Sequence, residues 1–211
     1  MRGSTDPLST APSSAVYPTD DPAAADLITA AVQTMAAKGY HGTSVRDIAG
    51  SAGVAVGSLY NYFGSKHGLL ALILNRGMDN LVENTEDALL QAGTDPVERL
   101  RAIVGVHVGR HTRSPLESLL GNSELRSLEP DARAVIVTKR DVQQRMFERV
   151  IADGVARGVF HTAHPRETAL FVISACTAVA TWFRPDGALP AAEVTARYQD
   201  VALDAVGYRR P

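Results

Sequence analysis

Residues 43–70, TSVRDIAGSAGVAVGSLYNYFGSKHGLL, decide the reading of the whole chain. Thr43 or Ser44 offers a side-chain oxygen at the start of a short helix whose apolar residues, Val45, Ile48 and Ala49, recur at helical spacing. Gly53 accepts the positive φ that a tight turn between helices demands, and Val54 is the apolar plug beneath it. A second helix restarts at Ala55-Val56-Gly57-Ser58, with Leu59 and Phe63 inward and Val56, Gly57, Ser58, Tyr60, Asn61 and Tyr62 on its small, uncharged outer face. This is helix-turn-helix spacing, and such a face fits a DNA major groove. Core packing alone does not account for two outward tyrosines followed by the Ser65-Lys66 helix start.

At these residues the chain resembles the TetR family of bacterial transcription regulators, whose N-terminal domain ends in the pattern G-V-x-x-G-[ST]-[LI]-Y-x-[YH]-F-x-[SN]-K-x-x-L. Residues 53–69 match it, including Gly57, Leu59, Tyr60, Tyr62, Phe63, Ser65 and Lys66, and the resemblance extends over residues 22–70. It implies that residues 55–62 enter the groove, with Ser58 and Asn61 addressing base edges. It also implies that Thr43, Tyr60, Tyr62 and Lys66, with the N-terminus of the following helix, hold phosphates. Ser44 joins this surface, and Arg46 on the preceding helix reaches a phosphate or a flanking base. Two positions depart from the family: Ala55 and Val56 stand where Ser or Thr and then Lys are usual, so the second helix lacks its cap and a phosphate-seeking charge. Residues 20–67 hold three basic side chains (Lys38, Arg46, Lys66) against four acidic ones (Asp20, Asp21, Asp26, Asp47). Few released counterions follow, so DNA affinity should fall with salt along a log–log slope no steeper than about −6.

The 211 residues are 45% hydrophobic, enough to bury a core, and the net charge of −2 excludes a polybasic nucleic-acid coat or a basic membrane-surface helix. The single cysteine, Cys176, excludes an intramolecular disulfide or a four-cysteine zinc site and fits a reducing compartment. Residues 171–183 form the longest apolar stretch, too short and too interrupted to span a bilayer, and the opening MRGSTDPLSTAPSS has no apolar signal segment. A cytoplasmic location and no membrane partner are expected.

Residues 1–20 are aperiodic and rich in Ser, Thr, Pro and Ala, and read as a disordered tail. Beyond it Pro22, Pro96, Pro115, Pro130, Pro165 and Pro190 mark helix starts, where a missing N–H costs nothing. Asp95-Pro96-Val97-Glu98 and Ser114-Pro115-Leu116-Glu117 read as capping boxes, and Gly39, Gly93 and Gly158 as helix stops. Helices are predicted near 22–38, 45–52, 56–63, 66–91, 95–112, 115–127, 130–157, 165–183 and 190–207. The fold class is all-α with about nine helices, a helix-turn-helix DNA-binding domain over 21–68 and a helical ligand-binding and dimerisation bundle over 69–211.

For the bundle, the TetR resemblance implies a small effector among the middle helices and a homodimer through the helices near 130–157 and 165–183. Val135, Val142, Met146 and Val150 on the first, and the apolar run on the second, permit this. A two-fold dimer sets its recognition helices about 34–36 Å apart, so the partner is a double-stranded inverted-repeat operator. Residues 95–166 carry twelve basic side chains against nine acidic, which reads either as an anionic effector held by arginine forks or as solvated helix faces. The runs SELRSL (123–128), KRDVQQRMFERVIADGVARGVF (139–160) and TWFRPDG (181–187) are similar to the TetR subgroup that answers acyl-coenzyme A thioesters. That likeness implies Phe147, Phe171 and Trp182 near an acyl tunnel and Arg126 or Arg140 near coenzyme phosphates, with Arg110, Gln144 and Ser174 completing the candidate set. The three aromatics read equally well as ordinary core. His107 and His111 have the i, i+4 spacing of a two-histidine metal site but no third ligand nearby, so neither a metal nor a cofactor is expected. Cys176 lies in an apolar helix as an inert thiol. With no nucleophile elbow and no glycine-rich phosphate loop, the chain reads as a ligand-responsive repressor rather than an enzyme. The alternative is an activator or ligand-binding protein of weak DNA affinity, suggested by Ala55, Val56 and the neutral reading unit.

Overall fold

Short polar side chains and prolines set where the helices begin. The computed structural model describes residues 21–209, and the tail expected over residues 1–20 lies outside them. Among the described residues there are nine α-helices and no strand: α1 Pro22–Gly42, α2 Val45–Ala52, α3 Val56–Phe63, α4 Lys66–Gln91, α5 Pro96–Arg113, α6 Pro115–Ser123, α7 Pro130–Ala156, α8 Pro165–Trp182 and α9 Ala191–Ala205. The all-α expectation holds. Asp21, Ser44, Ser65 and Asp95 each cap a helix by accepting from backbone N–H groups of its first turn.

Three local readings change. The helix predicted over 115–127 ends at Ser123 and continues as a 3-10 turn over Glu124–Ser127, because the residue before Pro130 is driven to extended backbone and the chain must leave the helix first. Ser114 makes no capping bond: it is the one-residue joint between α5 and α6, its hydroxyl is buried, and the capping box expected there does not form. Pro190 precedes α9 as its N-cap instead of opening it.

Two apolar cores organise the helices. The first joins Leu27, Ile28, Val32 and Met35 of α1, Ile48 of α2, Leu59 of α3 and Leu69, Leu70, Ile73 and Leu74 of α4, and it continues into Leu116 and Leu120 of α6. Each fully buried leucine or isoleucine contributes about 1.5–3 kcal/mol by leaving water. The second joins Leu100, Ile103 and Val104 of α5, Phe147 and Ile151 of α7, Cys176 and Val179 of α8 and Leu203 of α9. Two helices bridge the cores: α4 runs from the first core across to α5 and α7, and α6 packs against α1, α4 and α8. Among the described residues no helix is long and apolar enough to cross a membrane.

Candidate functional site

The reading unit is built at two corners. At the first, α2 ends on Gly53 in the left-handed conformation (φ 69°, ψ 24°), and Val54 N–H closes the turn on the Ala49 carbonyl at 3.0 Å. Ser44 Oγ accepts from Asp47 N while Asp47 accepts from Ser44 N, a reciprocal box that fixes the start of α2. At the second corner Ser65 Oγ accepts from Gly68 N at 2.9 Å, and a Cβ on Gly68 would lie 2.4 Å from the Phe63 carbonyl oxygen. That approach explains the glycine two residues after Lys66. Between the corners α3 buries Leu59 and turns Ala55, Val56, Gly57, Tyr60, Asn61 and Tyr62 to solvent, with Ser58 half-buried. Ala55 makes no side-chain cap, as its identity predicts. Ser44 and Arg46 are exposed on α2 beside this face. Tyr62 Oη donates to Asp21 at 2.6 Å, which ties the end of α3 to the start of α1 and raises the phenol's pKa.

Three of the four residues expected at phosphates are engaged within the chain, Tyr62 with Asp21, and Thr43 and Lys66 at the end of α1. Thr43 is buried and its hydroxyl donates to the carbonyls of Gly39 (2.8 Å) and Thr34 (3.1 Å). Lys66 Nζ donates to the carbonyls of Tyr40 (2.9 Å) and Thr43 (2.7 Å) and sits 4.1 Å from the centre of the Tyr40 ring. Both close the C-terminal end of α1, where unpaired carbonyls and the helix dipole favour a donor and a cation. Lys38 pairs with Asp47, so of the three basic residues in the unit only Arg46 has no ion pair or hydrogen bond among the described residues.

Behind the reading unit lies a cavity of about 460 Å³ walled by α4, α5, α6, α7 and α8. Its α4 wall is apolar, from Ile73, Leu74, Met78 and Leu81, and the opposite walls bring Arg110, His107 and His111 of α5, Glu117 of α6 and Arg140, Gln143 and Gln144 of α7 together. Leu170, Ser174 and Ala178 line it from α8 and are also exposed, so its mouth opens along that helix. The histidine rings stack with centroids 4.7 Å apart. Burial pushes the His111 pKa down to about 4 and that of His107 well below its usual value, so both rings are neutral near pH 7. Burial raises the Glu117 pKa, and neither of its carboxyl oxygens has a hydrogen-bond partner among the described residues. Arg140 donates to the Gly121 carbonyl at 2.7 Å, joining α7 to α6.

Four of the eight candidate ligand residues, Arg110, Arg140, Gln144 and Ser174, line this cavity. The other four do not. Phe147 is fully buried in the second core with the His107 ring edge-on to it. Phe171 is 60% exposed and Trp182 44% exposed, with the Trp182 ring stacked on Tyr198 of α9. Arg126 is exposed on the 3-10 turn. Of the α7 stripe expected at a dimer interface, Met146 and Val150 are buried within the chain, Val142 is half-buried and Val135 is exposed. Glu117, Gln143 and Thr177 escaped the sequence reading, Glu117 because its spacing from Ser114 imitates a capping box. His107 and His111 were visible only as a metal spacing, and no cluster of three or more metal-ligating residues exists among the described residues.

Two family models match the chain: bacterial regulatory proteins of the tetR family over residues 27–73, and the tetracyclin repressor-like C-terminal domain over residues 93–206. The HTH-type transcriptional repressor KstR2 of Mycobacterium tuberculosis is 28% identical over 183 residues, covering 86% of this chain and 91% of that protein. A tetR-family regulatory protein from Rhodococcus RHA1 superposes with a TM-score of 0.83 at 30% identity, covering 90% of this chain and 100% of the other. The structure of AibR with isovaleryl coenzyme A and operator DNA superposes with a TM-score of 0.76 at 26% identity, covering 90% and 100%.

Proposed function

Because the chain belongs to the TetR family of bacterial transcription regulators, we propose that it is a homodimeric repressor released from an inverted-repeat operator by the acyl group of a coenzyme A thioester. Residues 21–68 form the reading unit and 69–211 the effector and dimerisation unit. Within the reading unit, α3 enters the major groove with Ser58 and Asn61 at base edges, while Tyr60, Ser44 and Arg46 meet the backbone. Gly57 supports this docking: a Cβ there would meet nothing of the chain within 4 Å, so internal packing does not ask for glycine. The dimer forms through α8 and α9, where Phe171, the outer part of Trp182 and Val201 stay exposed.

The observation that carries the effector half is the double duty of α6. One face supplies Glu117, Ser118 and Gly121 to the cavity, and the other buries Leu116 and Leu120 against α1 of the reading unit and against α4, which leads out of it. A ligand that displaces α6 therefore tilts α1 and α4, and with them the spacing of the two α3 helices. Release follows from the difference in ligand affinity between the two arrangements. Pockets of this size suit an acyl group. The acyl group occupies the cavity and the coenzyme stays outside its mouth. The kinship with AibR, solved with a short acyl thioester, favours the same class.

The test is operator binding by fluorescence anisotropy on DNA from the gene's own upstream region, titrated with acyl-coenzyme A thioesters, free coenzyme A and free acids. Release by thioesters alone supports the proposal, and binding indifferent to all of them refutes it. The uncapped start of α3 and the internal pairing of Lys38 and Lys66 favour a second reading, an activator with a weak grip on DNA. Deleting the gene then lowers target transcription instead of raising it.

A further inference from the structure

The hydrogen-bond network around the cavity fixes which of its polar atoms give protons and which take them. Thr177 donates its one hydroxyl proton to the Ile173 carbonyl at 2.8 Å, so toward His107 Nε2, 2.9 Å away, it accepts only. The His107 proton is therefore on Nε2 and Nδ1 carries a lone pair, with no partner among the described residues. Thr85 likewise donates to the Leu81 carbonyl at 2.8 Å, so the amide nitrogen of Gln143 faces it at 3.0 Å and Gln143 Oε1 is the free end, again without a partner among the described residues. His111 Nδ1 must donate to the His107 carbonyl at 2.8 Å, leaving its Nε2 as an acceptor. Arg110 Nη1 is an unpartnered donor among the described residues. His107, Arg110, Glu117 and Gln143 are all more than nine-tenths buried, and all line the same cavity.

A saturated hydrocarbon chain satisfies none of these atoms, and buried polar groups left unpaired are what such a site selects against. We infer that the group held in the cavity is oxygenated: an acyl moiety with an acceptor oxygen for Arg110 and at least one hydroxyl that donates to His107 Nδ1 or Gln143 Oε1. This rests on the thioester reading above and names the chemistry of the acyl part. The apolar α4 wall takes the hydrocarbon frame, while the α5 and α7 wall reads its oxygens. A site built to pair with a hydroxyl discriminates strongly against the analogue that lacks it, so the preference should be about tenfold or more.

The test uses the purified full chain with octanoyl-coenzyme A and its monohydroxylated counterparts, hydroxylated in turn at each chain position, read by thermal unfolding and by operator release. At least one hydroxylated thioester should bind about tenfold more tightly than octanoyl-coenzyme A, and Gln143→Met or His107→Phe should collapse that ratio toward one. Two variants guard against a folding defect in either, and the circular-dichroism helix signal checks both. If the saturated thioester matches every hydroxylated one, the oxygenated-ligand inference is overturned while thioester sensing stands. If no thioester of either kind shifts unfolding or releases DNA, thioester sensing fails and this inference falls with it.

Discussion

Acidification should loosen this protein through its stacked histidines. His111 is 6% exposed, and burial pushes its pKa from 6.5 to about 4, with Arg110 and Arg140 pushing the same way and the hydrogen bond to the His107 carbonyl opposing. The unfolded chain takes up this proton near pH 6.5, whereas the folded chain resists until about pH 4. Between those values the unfolded state holds more protons, so stability rises with pH: the contribution is complete above 6.5 and drains away as pH falls toward 4. At pH 5 the loss from His111 is about 2 kcal/mol, or roughly 4–8 °C in Tm for a chain of this size. His107 shifts in the same direction. Glu117 works against them, because burial raises its pKa and its contribution is lost as pH rises above its unfolded value. The measurement is urea unfolding at pH 7 and pH 5 for the native chain and for His111→Gln, whose amide can keep the bond to the His107 carbonyl. The variant should lose about 2 kcal/mol less on acidification. An equal loss in both proteins refutes the assignment of the pH response to this ring.

Three further outcomes follow from the geometry. Lys66→Met should lower stability by about 1–3 kcal/mol by uncapping α1, yet leave the salt slope of operator binding unchanged; a slope flatter by about 0.9 would mean that Lys66 touches a phosphate after all. Gly154→Ala would drive a Cβ to 2.1 Å from the buried Phe160 ring, so urea unfolding should report a loss of about 1–3 kcal/mol, and an unchanged midpoint would show that the α7 end can yield. Phe171→Asp places a charge on the exposed α8 face and should turn the dimer to monomer in sedimentation velocity, with operator affinity lost in parallel; a dimer of undiminished strength would exclude that face.

The reading unit was legible in the sequence because its determinants are local. Ser44, Gly53 and Ser65 sit within one short stretch, and each acts on backbone a few residues away. Most helix starts were legible for the same reason, since prolines and capping side chains act on the first turn they precede. What the stretch did not disclose was the task of each polar side chain. Thr43 and Lys66 fit a phosphate-binding pattern, but only the approach of α1, whose carbonyls they close, shows where their protons go. The apolar pattern has a similar blind spot. Phe147, Phe171 and Trp182 all read as buried aromatics, and periodicity cannot say whether a helix face meets the chain's own core, a cavity or another subunit. The cavity itself is beyond any local reading, because its walls come from five helices spread over more than half the chain. The sequence by itself determined the helices, their order and the helix-turn-helix unit, since hydrophobic period, caps and turns are short-range. The tertiary structure alone decided which charged and polar groups meet around the cavity, since packing brings together residues that no spacing rule connects.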